Sequence, residues 1–224
     1  MSKAALLSLS LTEADALAQK AARGAGLGWG MAEEAGYAVR WLSAHGADGL
    51  GALLACLSTQ RSAPKLMQGQ IAGQGQGPLC PLETGSVLLD SAEIENGPLS
   101  GTLQLAPLCQ PLLLLPFLAQ ASVVLGRQLV LAYRGGTVAL PAPAILPAAK
   151  QALCGPLQLS LAGPLGPEWP GPNAPLPNTP LPQGRATCDG PTLAALDALA
   201  LKTTVPATEA SRHSGAGAGT NDND

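Results

Sequence analysis

The sequence predicts an α+β protein with N-terminal helices, an antiparallel β middle, and a C-terminal helix that ends in a tail. Three observations predict it. Helical spacing with start and stop residues fills positions 1–58; short apolar runs bounded by Gly and Pro, one of them a clear hairpin, fill 85–161; and a helical pattern returns at 191–202 after a Pro-rich crossing over 163–190. The 224 residues are expected to form one domain, closing with a Gly-rich tail over 203–224.

In chain order, Thr12 and Asp15 make an approximate capping box, and Leu11, Ala14, Leu17, Ala18 and Ala21 follow at helical spacing until Gly24 and Gly26 interrupt it. The first helix is expected over 12–23. Met31, Ala35, Ala38, Val39 and Leu42 stripe a second helix over 31–44, which Gly46 terminates, and Asp48 caps a third over 49–58. Residues 59–84, rich in Gln and Gly around Gln68–Gly77, have little to bury and read as a loop. Strands are expected at 86–89, 101–105 and 121–125, then a hairpin of 128–133 with 137–140 around Arg134-Gly135-Gly136, and one more strand at 155–161. Eight prolines between Pro164 and Pro182 forbid regular pairing and imply an extended crossing, after which Asp189-Gly190-Pro191-Thr192 starts the last helix.

Composition removes several classes. Charged residues are 12%, about half the usual ~25%, so solubility rests on Gly, Ser and Gln. A net charge of −3 with no Lys/Arg cluster gives no field for phosphates, which argues against nucleic acid as a partner. Five cysteines, Cys56, Cys80, Cys109, Cys154 and Cys188, are odd in number and contain no C-x-x-C pair, a pattern of reduced thiols in a cytoplasm rather than of disulfides or a zinc site. The N-terminus lacks the layout of a signal peptide. The uncharged run from Asn96 to Gly126 is long enough to cross a bilayer, but Pro107, Pro111, Pro116, Gln104, Gln110 and Gln120 interrupt it, so it reads as buried core, with no membrane partner.

Two places hold candidate chemistry. In the first, Arg23-Gly24-Ala25-Gly26-Leu27-Gly28-Trp29-Gly30 runs into a helix carrying Glu33 and Glu34; a glycine-rich turn at a helix start presents backbone N–H groups to an anion. A helix precedes this turn where a dinucleotide fingerprint needs a strand, so no nucleotide cofactor follows from it. The bland alternative is ordinary surface pairing of Glu33, Tyr37 and Arg40 on one helix face. The second place is the tail, where Ser211, Arg212, His213 and Ser214 precede alternate glycines. His213 is the candidate base there, against the alternative of a solvated terminus. His45 ends the second helix and reads as a cap. Acidic residues show no metal-loop spacing, so no metal is expected; Cys56 and Cys109 read as core.

Leu9-Ser10-Leu11-Thr12-Glu13 with Ala21–Gly26, Trp29–Gly36 with Val39-Arg40-Trp41-Leu42, and the closing Val205–Arg212 through Asn221–Asp224 resemble an uncharacterised bacterial protein family, a domain of unknown function. The resemblance covers both ends of the chain and implies no activity.

Two functions fit these residues. One is a cytoplasmic enzyme, or enzyme subunit, for a small carboxylate-bearing metabolite, with Arg23, Trp29, Lys202, Ser211 and Arg212 binding it, Glu33, Glu34 and His213 handling protons, and the tail acting as a lid. The other is a noncatalytic partner, docking on another protein or a second copy through the Pro-rich segment and the C-terminal arm.

Overall fold

Ser10 sets the start of the first helix. The computed structural model describes residues 6–134, 136–141, 157–165 and 184–204. In it Leu6–Ser10 is a strand (β1) and Leu11–Gly24 the helix α1. Ser10 Oγ accepts from the Glu13 N–H at 3.2 Å and Glu13 Oε2 accepts from the Ser10 N–H at 2.7 Å, a complete capping box two residues before the expected Thr12–Asp15 one. Asp15 instead accepts from Gln19 Nε2 at 2.8 Å and pairs with Arg40 at 3.8 Å.

Helix α1 buries Ala14, Ala18, Ala21 and Ala22, side chains so small that the neighbouring helices approach its backbone closely. Those neighbours are α2 (Trp29–Ala44) and the C-terminal helix, α6 (Gly190–Leu201). A Cβ on Gly24 would lie 1.8 Å from Leu199 O in α6, and one on Gly36 of α2 would lie 2.2 Å from Asp15 Oδ1. Helix α3 (Gly49–Leu57) starts as expected at Asp48, whose Oδ1 accepts from the Gly51 N–H at 2.8 Å.

The fold is α+β, and three sequence expectations are corrected. Residues 59–84 are not a plain loop: Pro64–Met67 (β2) and Gln70–Gly73 (β3) form a hairpin whose turn glycine, Gly69, takes φ +69°. Residues 86–89 belong to helix α4 (Pro81–Asp90), which has Pro81 in its first turn and buries Leu82, Gly85 and Leu88. Residues 121–125 belong to helix α5 (Leu115–Leu125). That helix is apolar on nearly every side because it is buried on nearly every side, and without a polar face its period is hidden.

The larger sheet adds Leu103–Leu105 (β4), Arg127–Tyr133 (β5), Gly136–Leu140 (β6) and Leu157–Pro164 (β7), in the order β2-β3-β4-β7-β5-β6. Its pairs are antiparallel except β3 with β4, and β5–β6 is the expected hairpin. A second sheet pairs β1 with Arg185–Asp189 (β8), tying the two ends of the described chain together ahead of α1 and α6. Leu112, Leu113, Leu114, Leu115 and Phe117, from the uncharged run, lie in the core. Among the described residues no helix is long and apolar enough to cross a membrane. The prolines from Pro167 to Pro182 and the tail from residue 205 lie outside the described residues.

Candidate functional site

The turn between α1 and α2 is built from local rules. Ala25 N–H donates to Ala21 O at 2.9 Å and Leu27 N–H to Ala22 O at 3.0 Å, which closes the end of α1, and Gly26 reverses the chain at φ +94°. Gly28 is then the N-cap of α2 in extended backbone, and among the described residues no side chain caps the first N–H groups of that helix. Arg23 reaches across the turn: its Nη1 donates to Leu27 O, and its Cζ lies 4.4 Å from the centre of the Trp29 ring. Trp29 is 73% exposed. The result is a guanidinium held over an exposed indole ring beside a helix start.

Two glycines of this corner, Gly28 and Gly30, are not required by packing. A Cβ at Gly28 or Gly30 would meet nothing within 4 Å, and neither residue has positive φ. Bare backbone that the fold does not need leaves room for a ligand to approach the N–H groups closely.

The two glutamates diverge. Successive helical residues turn about 100°, so Glu33 lies about 40° round α2 from Trp29 and Glu34 about 140°. Glu33 is exposed. Glu34 is half-buried and interacts with Asp90 at the end of α4; burial first, then the charges of Asp90 and Glu33, push its carboxyl above the ordinary value. Tyr37, one turn on, donates to Pro116 O at 3.3 Å and sets its ring edge-on to Phe117 at 5.8 Å. Burial pushes its phenol up to about 12, so it is a neutral packing group.

His45 is the C-cap of α2, with Nδ1 2.7 Å from Trp41 O and its ring stacked 3.9 Å from that of Trp41. Burial pulls its pKa down against the opposing pull of the carbonyl, which leaves a neutral imidazole donating through Nδ1–H. Lys202 is the exposed C-cap of α6. Beyond it, Thr204 lines a groove of about 590 Å³ with Glu13, Leu17, Lys20 and Asp197. Ser211, Arg212 and His213 lie outside the described residues. The structure therefore brings Arg23 and Trp29 together, sets Glu33 on their side of α2 and turns Glu34 toward α4. Among the described residues no three His, Cys, Asp or Glu side chains are arranged to hold a metal ion.

No curated protein and no solved structure matches the chain. A family model described as protein of unknown function (DUF3726) matches residues 9–89, from within β1 through nearly all of α4, and leaves the C-terminal stretch outside the match. The segment that carries Arg23, Trp29, Glu33 and Glu34 is thus a domain of unknown function, similar over those residues to that family.

Proposed function

We propose that this chain is a cytoplasmic enzyme, or a subunit of one, that takes a small carboxylate-bearing metabolite at the Arg23–Trp29 corner. The observation that supports it is the Arg23 guanidinium fixed against an exposed Trp29 at the uncapped start of α2. A planar fork accepts a carboxylate through two parallel N–H···O bonds, the helix N–H groups add a partial positive charge, and the indole covers an apolar ligand body. Glu33 is the acid–base residue of this reading because it is nearer Trp29 round the helix; Glu34 is its half-buried alternate, and Lys202, Ser211, Arg212 and His213 are the groups that the C-terminal arm would add.

The test is titration of the full chain with succinate and citrate, read by calorimetry and by thermal shift. Binding that falls at least about tenfold in Arg23→Ala, the loss of one charge-assisted pair, supports the site. Carboxylates that bind the wild type and Arg23→Ala equally well would refute it, as would no binding to either.

A second reading, a noncatalytic partner, is favoured by a different surface. Leu66, Met67 and Ile94 are 47%, 44% and 59% exposed and line one groove of about 580 Å³ that has no charged side chain on its wall. If it docks a second copy of this chain, Met67→Lys turns a dimer measured by light scattering into a monomer while carboxylate binding is unchanged.

A further inference from the structure

Three of the cysteines, far apart in sequence, meet in the fold. Cys56 lies in the last turn of α3, Cys80 is the N-cap of α4, and Cys109 lies in the turn before the 3-10 segment Pro111–Leu114. Backbone ladders hold the last two in place. Cys80 N–H donates to Ser62 O at 3.0 Å, Leu79 N–H to Pro107 O at 2.8 Å and Cys109 N–H to Leu79 O at 3.2 Å, so the segments at 62, 79–80 and 107–109 run side by side. Cys109 Sγ lies 3.4 Å from Cys56 Sγ, and the Cys80 thiol interacts with the same Cys56 side chain. A disulfide needs about 2.05 Å, so the Cys56–Cys109 pair has only about 1.4 Å left to close.

The surroundings divide the three sulfurs by role. Cys56 is 0% exposed, and its contacts with the two neighbouring thiols, together with burial, push its own thiol far up. Cys80 is brought down to about 7, first by Cys56, then by the Glu83 N–H at the start of α4 and by the Arg61 charge. Cys109 is lowered too, again chiefly by Cys56 and with help from Arg61. Arg61 is anchored there by donating to Cys56 O. Cys80 is 2% exposed while Cys109 is only half-buried, so a small solute reaches Cys109 first. Cys188, on β8, is instead held above its ordinary value by burial and by Asp48, Asp189 and Asp197.

We propose that Cys109 and Cys56 are a redox couple that reduces a small hydroperoxide, with Cys109 as the attacking sulfur, Cys56 as the resolving one and Cys80 as the positioning thiol beside them. The Cys109 thiolate attacks one peroxide oxygen and breaks the O–O bond; the sulfur becomes a sulfenic acid, and the departing oxyanion takes a proton from solvent and leaves as water or alcohol. Cys56 then loses its proton to solvent as its sulfur attacks the Cys109 sulfur. Hydroxide departs, takes a proton from solvent as water, and the disulfide is formed. Two thiols lose two electrons and the peroxide gains them; an external dithiol returns the pair to the starting state by exchange.

The test uses the full reduced chain with one equivalent of hydrogen peroxide, followed by alkylation and mapping of linked peptides under non-reducing conditions. The expected product is a Cys56–Cys109 link within one chain, reversed by dithiothreitol. Cys109→Ser should slow peroxide consumption about tenfold or more, because it removes the sulfur that attacks the peroxide. Cys56→Ser should stop at a sulfenic acid on position 109, trapped by dimedone, and Cys188→Ser should react like the wild type. A wild-type map in which another pair links, or in which Cys109 is consumed no faster than Cys188, overturns the assignment without depending on how any variant folds.

Discussion

Glu34 holds its proton longer in the folded chain than in the unfolded one, because burial, Asp90 and Glu33 all oppose its charge. From the ordinary carboxylate value of 4.5 up to the raised folded value, the folded state binds more protons than the unfolded state. Stability therefore falls as pH rises through that window and stays lower above it. Glu34→Gln removes this penalty: the variant should melt higher than the wild type at pH 7 to 8, and the two should converge at pH 4. A difference in melting temperature that is the same at every pH would show that the charge of Glu34 is not the cause. At this scale the sequence exposes what is local. Arg23 and Trp29 are six positions apart across a glycine turn, so their meeting follows from the turn itself. Two overlapping S/T-x-x-D/E patterns, Ser10–Glu13 and Thr12–Asp15, compete for the cap, and the strand ahead of α1 selects Ser10. The thiol cluster leaves no trace in spacing, since its members arrive on three segments joined by tertiary contacts.

Glycines separate two kinds of constraint on the helical elements. Gly24 is where α1 meets the backbone of α6, and a methyl there has nowhere to go, because the obstructing atoms are Leu199 O and C rather than a movable side chain. Gly24→Ala should lower stability by about 1–3 kcal/mol, as overpacking does, read from denaturant midpoints. Gly30 is the opposite case. It sits inside α2 with open space where a Cβ would be, so Gly30→Ala should raise stability by up to about 1 kcal/mol through helix propensity while weakening carboxylate binding at the corner. A variant that is stabilised and binds carboxylate as the wild type does would show that the bare backbone is not used by a ligand. The elements that the sequence misdescribes are those whose identity depends on partners. In α5 burial on several sides erases the helical stripe, whereas in α4 the exposed Val87 extends the apolar run Val87-Leu88-Leu89, which then reads like a strand. In β1 and β8 the alternation is present, with Ala186 and Cys188 inward, but a strand of five residues is recognisable only once its distant mate is known.

Phe117 links the helical and sheet parts of the molecule. Its ring lies edge-on to Tyr37 of α2 and fills the space left by Gly85 of α4, where a Cβ would be 2.3 Å from Cδ2. It is fully buried on α5, the helix that leads through Gly126 directly into β5. The buried residues of the helices and of β3, β4, β5, β6 and β7 form one cluster around it. Aromatic residues are 3% of the chain and the core around Phe117 is mostly Leu and Ala, which can refill little of its volume. Phe117→Ala should cost about 3–5 kcal/mol, a large share of the about 5–15 kcal/mol that holds an ordinary domain together. If the helical and sheet parts are one cooperative unit, indole fluorescence, which includes Trp29 and Trp41 on α2, and far-ultraviolet circular dichroism should lose their signals at one shared, lowered midpoint. Two separated midpoints, with only the fluorescence transition moved by the substitution, would mean that the helical part folds on its own and that Phe117 belongs to it alone.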